Sequence, residues 1–95
     1  MKIYISGAIT GTDDYMERFA NAEKELTEKG YSVVNPAKVN AQLPEDTDYE
    51  DYMRMSFCML LMCEAIYLLR GFEKSRGAKR ELEFAKSEDM EIVYE

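Results

Sequence analysis

Short apolar runs alternate with segments of helical period along this chain, and that alternation restricts the fold more than any other feature. Ile3-Tyr4-Ile5, Tyr31-Ser32-Val33-Val34, Ala65-Ile66-Tyr67-Leu68-Leu69 and Glu91-Ile92-Val93-Tyr94 have the β-branched and aromatic content of strands. Between the first two runs, Tyr15, Phe19, Ala22 and Leu26 recur at spacings of four, three and four. That places them on one face of a helix, capped by Thr12 or Asp13 and running to about Lys29, with Gly30 as its C-terminal stop. Asn35-Pro36 ends the second strand, and Pro36 to Thr47 is expected to be a long loop. A second helix is expected from about Tyr49 to Met62. Its sequence is apolar on more than one face from Phe57 onward, which fits deep burial or a subunit contact. A third helix follows the third strand and runs to about Ser87.

The order β-α-β-α-β-α-β implies a parallel sheet with right-handed crossovers and helices on both faces. The expected fold is a three-layer α/β/α sandwich of the Rossmann or flavodoxin-like kind. It is a single domain over residues 1–95, with four strands in the order 2-1-3-4. In such a sheet the chain reverses direction between strands one and three, and a ligand crevice opens at their carboxyl ends. Those ends are Ser6-Gly7 and Arg70-Gly71.

Composition removes several chemistries. The chain has no histidine. Ser-His-Asp and Cys-His triads, an imidazole base and the common zinc sites are therefore excluded, and any catalysis rests on carboxylates, hydroxyls, Tyr, Lys and Arg. Twelve basic against nineteen acidic residues give a formal net charge of −7, which argues against a nucleic-acid polymer as partner. A small phosphate-bearing ligand stays open, because local backbone dipoles can hold one against an adverse overall charge. Cys58 and Cys63 are five apart, a spacing of neither a zinc motif nor a disulfide framework. With Met53, Met55, Met59 and Met62 they suggest packing rather than soft-metal binding. MKIYISG lacks the apolar core of a signal peptide, and the run from Phe57 to Leu69 is broken by Glu64. A cytoplasmic protein with reduced thiols and no membrane span is the expectation, and association into a homo-oligomer suits so short a chain.

The stretch Leu69 to Ala85, LRGFEKSRGAKRELEFA, gathers the candidate chemistry. It passes from a strand through a loop with Gly71, Ser75 and Gly77 into a helix, with Glu81 expected in its first turn. Such a glutamate can simply stabilise the helix dipole or form a capping box with Ser75 as N-cap. At a sheet crevice it can also be a nucleophile or base. Ser6, Gly7, Thr10 and Gly11 form a small-residue loop able to cradle a phosphate or sugar hydroxyls. Ser75-Arg76-Gly77 is a second candidate anion nest, with Lys74 beside it. Tyr4 lies near the crevice if its side chain is directed towards it. The acidic segment from Glu45 to Asp51 fits a solvated loop leading into helix N-terminal charges.

Taken together, KIYISGAITG, GYSVVNP, YM at 52–53 and CEAIYLLRGFEKSRGAKRE with the following EFA cover nearly the whole chain. In these segments it resembles the nucleoside 2-deoxyribosyltransferase superfamily, and in particular a branch of short bacterial and phage proteins built on a domain of unknown function. The S-x-G-x-x-x-E segment carries the catalytic glutamate of that superfamily. The resemblance therefore implies Glu81 as a nucleophile at C1′ of the sugar, with Tyr4 beside it. Ser6, Gly7 and the loop to Gly11 would line the sugar or a 5′-phosphate. Ser75, where the transferases have an aspartate, points to a nucleoside monophosphate rather than a nucleoside. Ser56 stands where active relatives carry an aspartate that helps the base depart, and Glu64 replaces the family's strand-leading aspartate. No cofactor or metal is implied, and the superfamily completes its sites across subunits. The competing expectation is a nucleotide-binding or partner-binding module that has lost turnover with the Ser56 exchange.

Overall fold

The computed structural model describes residues 1–9 and 11–95. Four strands form it: β1 (Lys2–Ser6), β2 (Ser32–Val34), β3 (Ala65–Leu68) and β4 (Glu91–Tyr94). The helices are α1 (Tyr15–Glu28), α2 (Pro36–Asn40), α3 (Tyr49–Leu61) and α4 (Arg76–Ser87), with a short 3-10 turn at Phe72–Lys74. All neighbouring strands are parallel, and the order is β2-β1-β3-β4, as the alternation predicts.

Two apolar layers flank the sheet, because β1 and β3 are buried on both sides and send alternate residues to each. Ile3 and Ile5 of β1 pack with Ala65, Tyr67 and Leu69 against Phe19, Ala22 and Leu26 of α1. Tyr4, Ile66 and Leu68 point the other way, onto Met59 and Leu60 of α3 and Leu82 and Ala85 of α4. The register Ile3↔Ala65 to Ser6↔Leu68 brings β1 and β3 to a common carboxyl edge.

Helix ends explain where the segments stop. Gly30 adopts φ +96°, its N–H bonds to the Thr27 carbonyl and the Tyr31 N–H to Leu26. That double bond pattern closes α1 with glycine in the left-handed region, and Tyr31 packs back near Leu26. Asp89 repeats the device after α4 at φ 55°. At its start α1 departs from expectation: the residue before it is Asp14, and no side chain caps it. The Thr12 hydroxyl turns back to donate to the Ile9 carbonyl instead.

The larger correction is α2. The expected loop from Pro36 to Thr47 opens with a helical turn and a half, because Asn35 accepts from the Ala37 N–H at 3.0 Å and Pro36 occupies the first helical position. Glu23 of α1 anchors it, accepting from the Asn35 side chain at 3.0 Å and pairing with Lys38 at 2.9 Å. The acidic run behaves as expected. Asp48 caps α3 through the Asp51 N–H, and Glu50 and Asp51 occupy its first turn. No helix among the described residues is long and apolar enough to cross a membrane.

Candidate functional site

β1 delivers two hydroxyls to the carboxyl edge of the sheet. Tyr4 and Ser6 are two apart on a strand, so both face the α3–α4 layer. Glu81 comes from α4 on that side and is 7% exposed. Its carboxylate accepts from the Tyr4 phenol at 2.8 Å and from the Ser6 hydroxyl at 2.6 Å, one donor to each oxygen. Helix and strand are thereby locked together through a charge-assisted pair of bonds.

Burial pushes the Glu81 carboxyl above its ordinary value, while the hydroxyls of Ser6, Tyr4 and Ser56 pull it back. Desolvation is the largest influence, so the site keeps a carboxylate that holds a proton more readily than one in water. Burial, and then the Glu81 charge, carry the Tyr4 phenol well above its usual range. It therefore remains protonated, a donor to Glu81, at neutral pH.

A cavity of about 580 Å³ opens on this carboxylate, within the span of roughly 300–1,000 Å³ typical of small-molecule sites. Gly7, Pro36 and Asn40 line it from the β1 and β2 ends, and Tyr49, Tyr52, Met53 and Ser56 from α3. Lys74, Ser75, Arg76 and Gly77 close the α4 side, with Tyr15 and Phe19 reaching in from α1. The Arg76 guanidinium lies 4.9 Å from the centre of the Tyr49 ring. Arg80 lies 5.5 Å from the same ring and pairs with Glu50 at 3.2 Å. Lys74 and Arg76 are the cations among the lining residues, whereas Arg80 lies outside them and is paired with Glu50.

Of the residues expected at the site, the fold brings together Tyr4, Ser6, Gly7, Ser56, Ser75, Gly77 and Glu81. Glu81 is the sixth residue of α4, not a first-turn residue, and its carboxylate turns to β1 instead of the helix start. The capping-box alternative is thereby removed. Ser75 alone caps α4, accepting from the Ala78 N–H at 3.1 Å, and it lines the cavity wall. Gly71 and Gly11 do not line the cavity. Both adopt positive φ, 86° and 82°, and serve turns. The carbonyl of Arg70, just before Gly71, is held by Arg18 at 2.7 Å on the α1 side. Thr10 lies outside the described residues.

Gly7, expected in the cradle loop, lines the cavity and also serves packing. A Cβ there would lie 2.9 Å from Leu69 Cδ1, so the missing side chain lets the ends of β1 and β3 close on each other. Gly77 is the opposite case, since a Cβ would meet only ordinary contacts with Met53, Tyr49 and Ser75 at 3.5–3.9 Å.

Asn40, Tyr49 and Tyr52 are cavity residues that the sequence did not mark as such. Asn40 ends the unforeseen α2, and its Oδ1 is the one buried side-chain polar atom without a partner among the described residues. A chain-local signal existed only in Asn35-Pro36, a cap followed by an N1 proline. Among the described residues no cluster of His, Cys, Asp and Glu is placed to hold a metal ion. No curated protein matches the chain. A family model described as a domain of unknown function, DUF4406, matches residues 1–94, and the chain belongs to that family.

Proposed function

We propose that the protein acts on the N-glycosidic bond of a nucleoside or nucleoside monophosphate, with Glu81 as the nucleophile at the sugar C1′. The observation that carries this reading is the buried Glu81 carboxylate, held by Tyr4 and Ser6 and facing the cavity. Tyr4 and Ser6 fix both oxygens, so the carboxylate is oriented before any ligand arrives. Attack forms a glycosyl ester and expels the base, and water or a second base resolves the ester with retention. Lys74, Arg76 and the Ser75 turn at the rim suit a 5′-phosphate. Incubation with deoxynucleosides and their monophosphates, following free base, tests it: turnover that Glu81→Ala abolishes supports the reading, and none with any of them counts against it.

One observation favours the second reading, a binding module without turnover. Ser56 is buried beside Glu81 and cannot serve as a general acid at neutral pH. A Ser56→Asp variant that gains base release, by up to roughly 10²–10⁴-fold, would assign the difference to that one group. The glycosidic reading also includes a homo-oligomer, with the outer side of α3 as its interface, where Leu61 and the capping Met62 are 61% and 55% exposed.

A further inference from the structure

The two hydroxyls on Glu81 are not equivalent. Ser6 closes β1 with its backbone fixed in the sheet: it pairs with Leu68, and its carbonyl accepts from the Leu69 N–H at 2.9 Å. It is 1% exposed and lies outside the cavity lining, whereas Tyr4, Gly7 and Glu81 belong to that lining. A sugar or phosphate in the cavity therefore does not meet the Ser6 hydroxyl. What that hydroxyl meets is Glu81 Oε1, at 2.6 Å, the length of a short charge-assisted O–H···O⁻ bond. The Tyr4 phenol donates to Oε2 at the longer 2.8 Å. Oε1 thus carries the shorter bond, to a residue behind the lining, and Oε2 the longer one, to a residue of the lining.

We propose that Ser6 is a positioning residue that keeps Oε1 out of the reaction, so that Oε2 is the oxygen that bonds C1′. The proposal rests on the glycosidic reading above and assigns its two oxygens. In the first step a bond forms between Oε2 and C1′ as the C1′–N bond breaks. The electron pair of that bond leaves on the base, which takes a proton from solvent. Oε1 is then the carbonyl oxygen of the ester and keeps its bond from Ser6. Water attacks C1′, Oε2 recovers its electron pair as the carboxylate, and one proton returns to solvent.

A donor to the charged form favours that form, so Ser6 also keeps Glu81 ionised against its burial. The other groups acting on the carboxylate are the Tyr4 phenol of β1 and the Ser56 hydroxyl of α3. On this side β3 presents only Ile66 and Leu68. Tyr15 of α1, Tyr49 and Tyr52 of α3, and Lys74 and Arg76 on the α4 side are the remaining titratable groups of the lining.

The experiment follows Glu81 protonation and turnover separately in the parent, Ser6→Ala and Ser6→Cys, all on the full chain. Cysteine nearly fills the space of serine but is a weak donor, so it separates the hydrogen bond from packing. Without substrate, a carbon-13 titration of the glutamate carboxyls, with Glu81 assigned by its loss in Glu81→Gln, should show its midpoint raised by about one to two pH units in both variants. With deoxynucleoside monophosphates, the acid limb of kcat should rise with it, lowering kcat at least about tenfold on the acid side. KM should stay within about twofold, because the hydroxyl does not touch the ligand. A KM raised tenfold places Ser6 on the substrate and overturns the proposal. So does a midpoint that stays put, or one that moves in Ser6→Ala and not in Ser6→Cys. Absence of turnover by the parent overturns the glycosidic reading and the assignment of Oε2 with it, whereas turnover with an unmoved midpoint overturns the role of Ser6 alone.

Discussion

Glu81 is a carboxylate that the fold keeps at an energetic cost. Its native proton affinity is raised above the ordinary 4.5 by burial. Between 4.5 and that higher value the folded chain holds a proton that the unfolded chain has released, so stability falls as pH rises through this window. Below 4.5 the cost is absent, and above the window it is fully present. Glu81→Gln should therefore melt like the parent at pH 4 and be more stable at pH 7 by about 0.5–2 kcal/mol, checked by thermal melts across pH. A variant that loses stability at pH 7 would mean that the two hydroxyl contacts outweigh desolvation. Gly7→Ala should cost about 1–3 kcal/mol by denaturant unfolding, since Leu69 leaves no room for the added methyl. Tyr4 beside Glu81 was legible only through the family resemblance, and the Ser6 hydroxyl, expected to line a sugar or phosphate, donates to Glu81 instead. The place of Asn40 at the cavity was not legible, because it closes a five-residue helix that carries no periodic signal.

At the level of elements, α4 places its N-terminal turn at the cavity and its Glu81 beneath it. Gly77 is the second residue of that helix, where alanine is favoured by up to about 1 kcal/mol and meets no hard contact. Gly77→Ala should hold or raise the melting temperature while weakening ligand binding, because the methyl enters the cavity beside Ser75 and Met53. Calorimetric titration with a ribonucleoside monophosphate checks the second half. The short α2 is the element that sequence reasoning missed. Five residues carry too little periodicity to declare a helix, and Asn35-Pro36 was read only as the end of a strand. Its position depends on Glu23, whose carboxyl is held below its ordinary 4.5, first by Asn35 and then by Lys38. A lowered native value stabilises the fold above 4.5 and loses that contribution as pH falls through it. Glu23→Ala should cost about 0.5–1 kcal/mol at pH 7 and less in acid, a small effect because Lys38 is exposed. The other helices and all four strands were legible, because each carries its own helical period or its β-branched and aromatic run.

The whole molecule is one tightly gathered body, with a radius of gyration of 12.2 Å against about 12 Å expected for a chain of this length. The apolar outer side of α3 stands apart from that economy, and the proposed self-association gives it a use. Leu61→Glu with Met62→Glu should shift a dimer or larger species to monomer in sedimentation without altering the core, because both side chains are exposed. If the unaltered protein sediments as a monomer, that part of the reading fails. The sheet order could be derived from alternation alone, whereas the surface partner could not, since an apolar exposed side does not say what covers it. The absence of histidine has one more consequence at this scale. Of the side chains whose proton affinity the fold clearly changes, Glu81 is the one carboxyl moved upward. Glu23 moves down, while the others, Tyr4, Cys63, Tyr67 and Arg80, start at 9.0 or above and move further up. Near neutral pH, where an imidazole would titrate, no histidine proton masks Glu81, and subtracting the Glu81→Gln protein from the parent isolates its share of an infrared carboxyl titration.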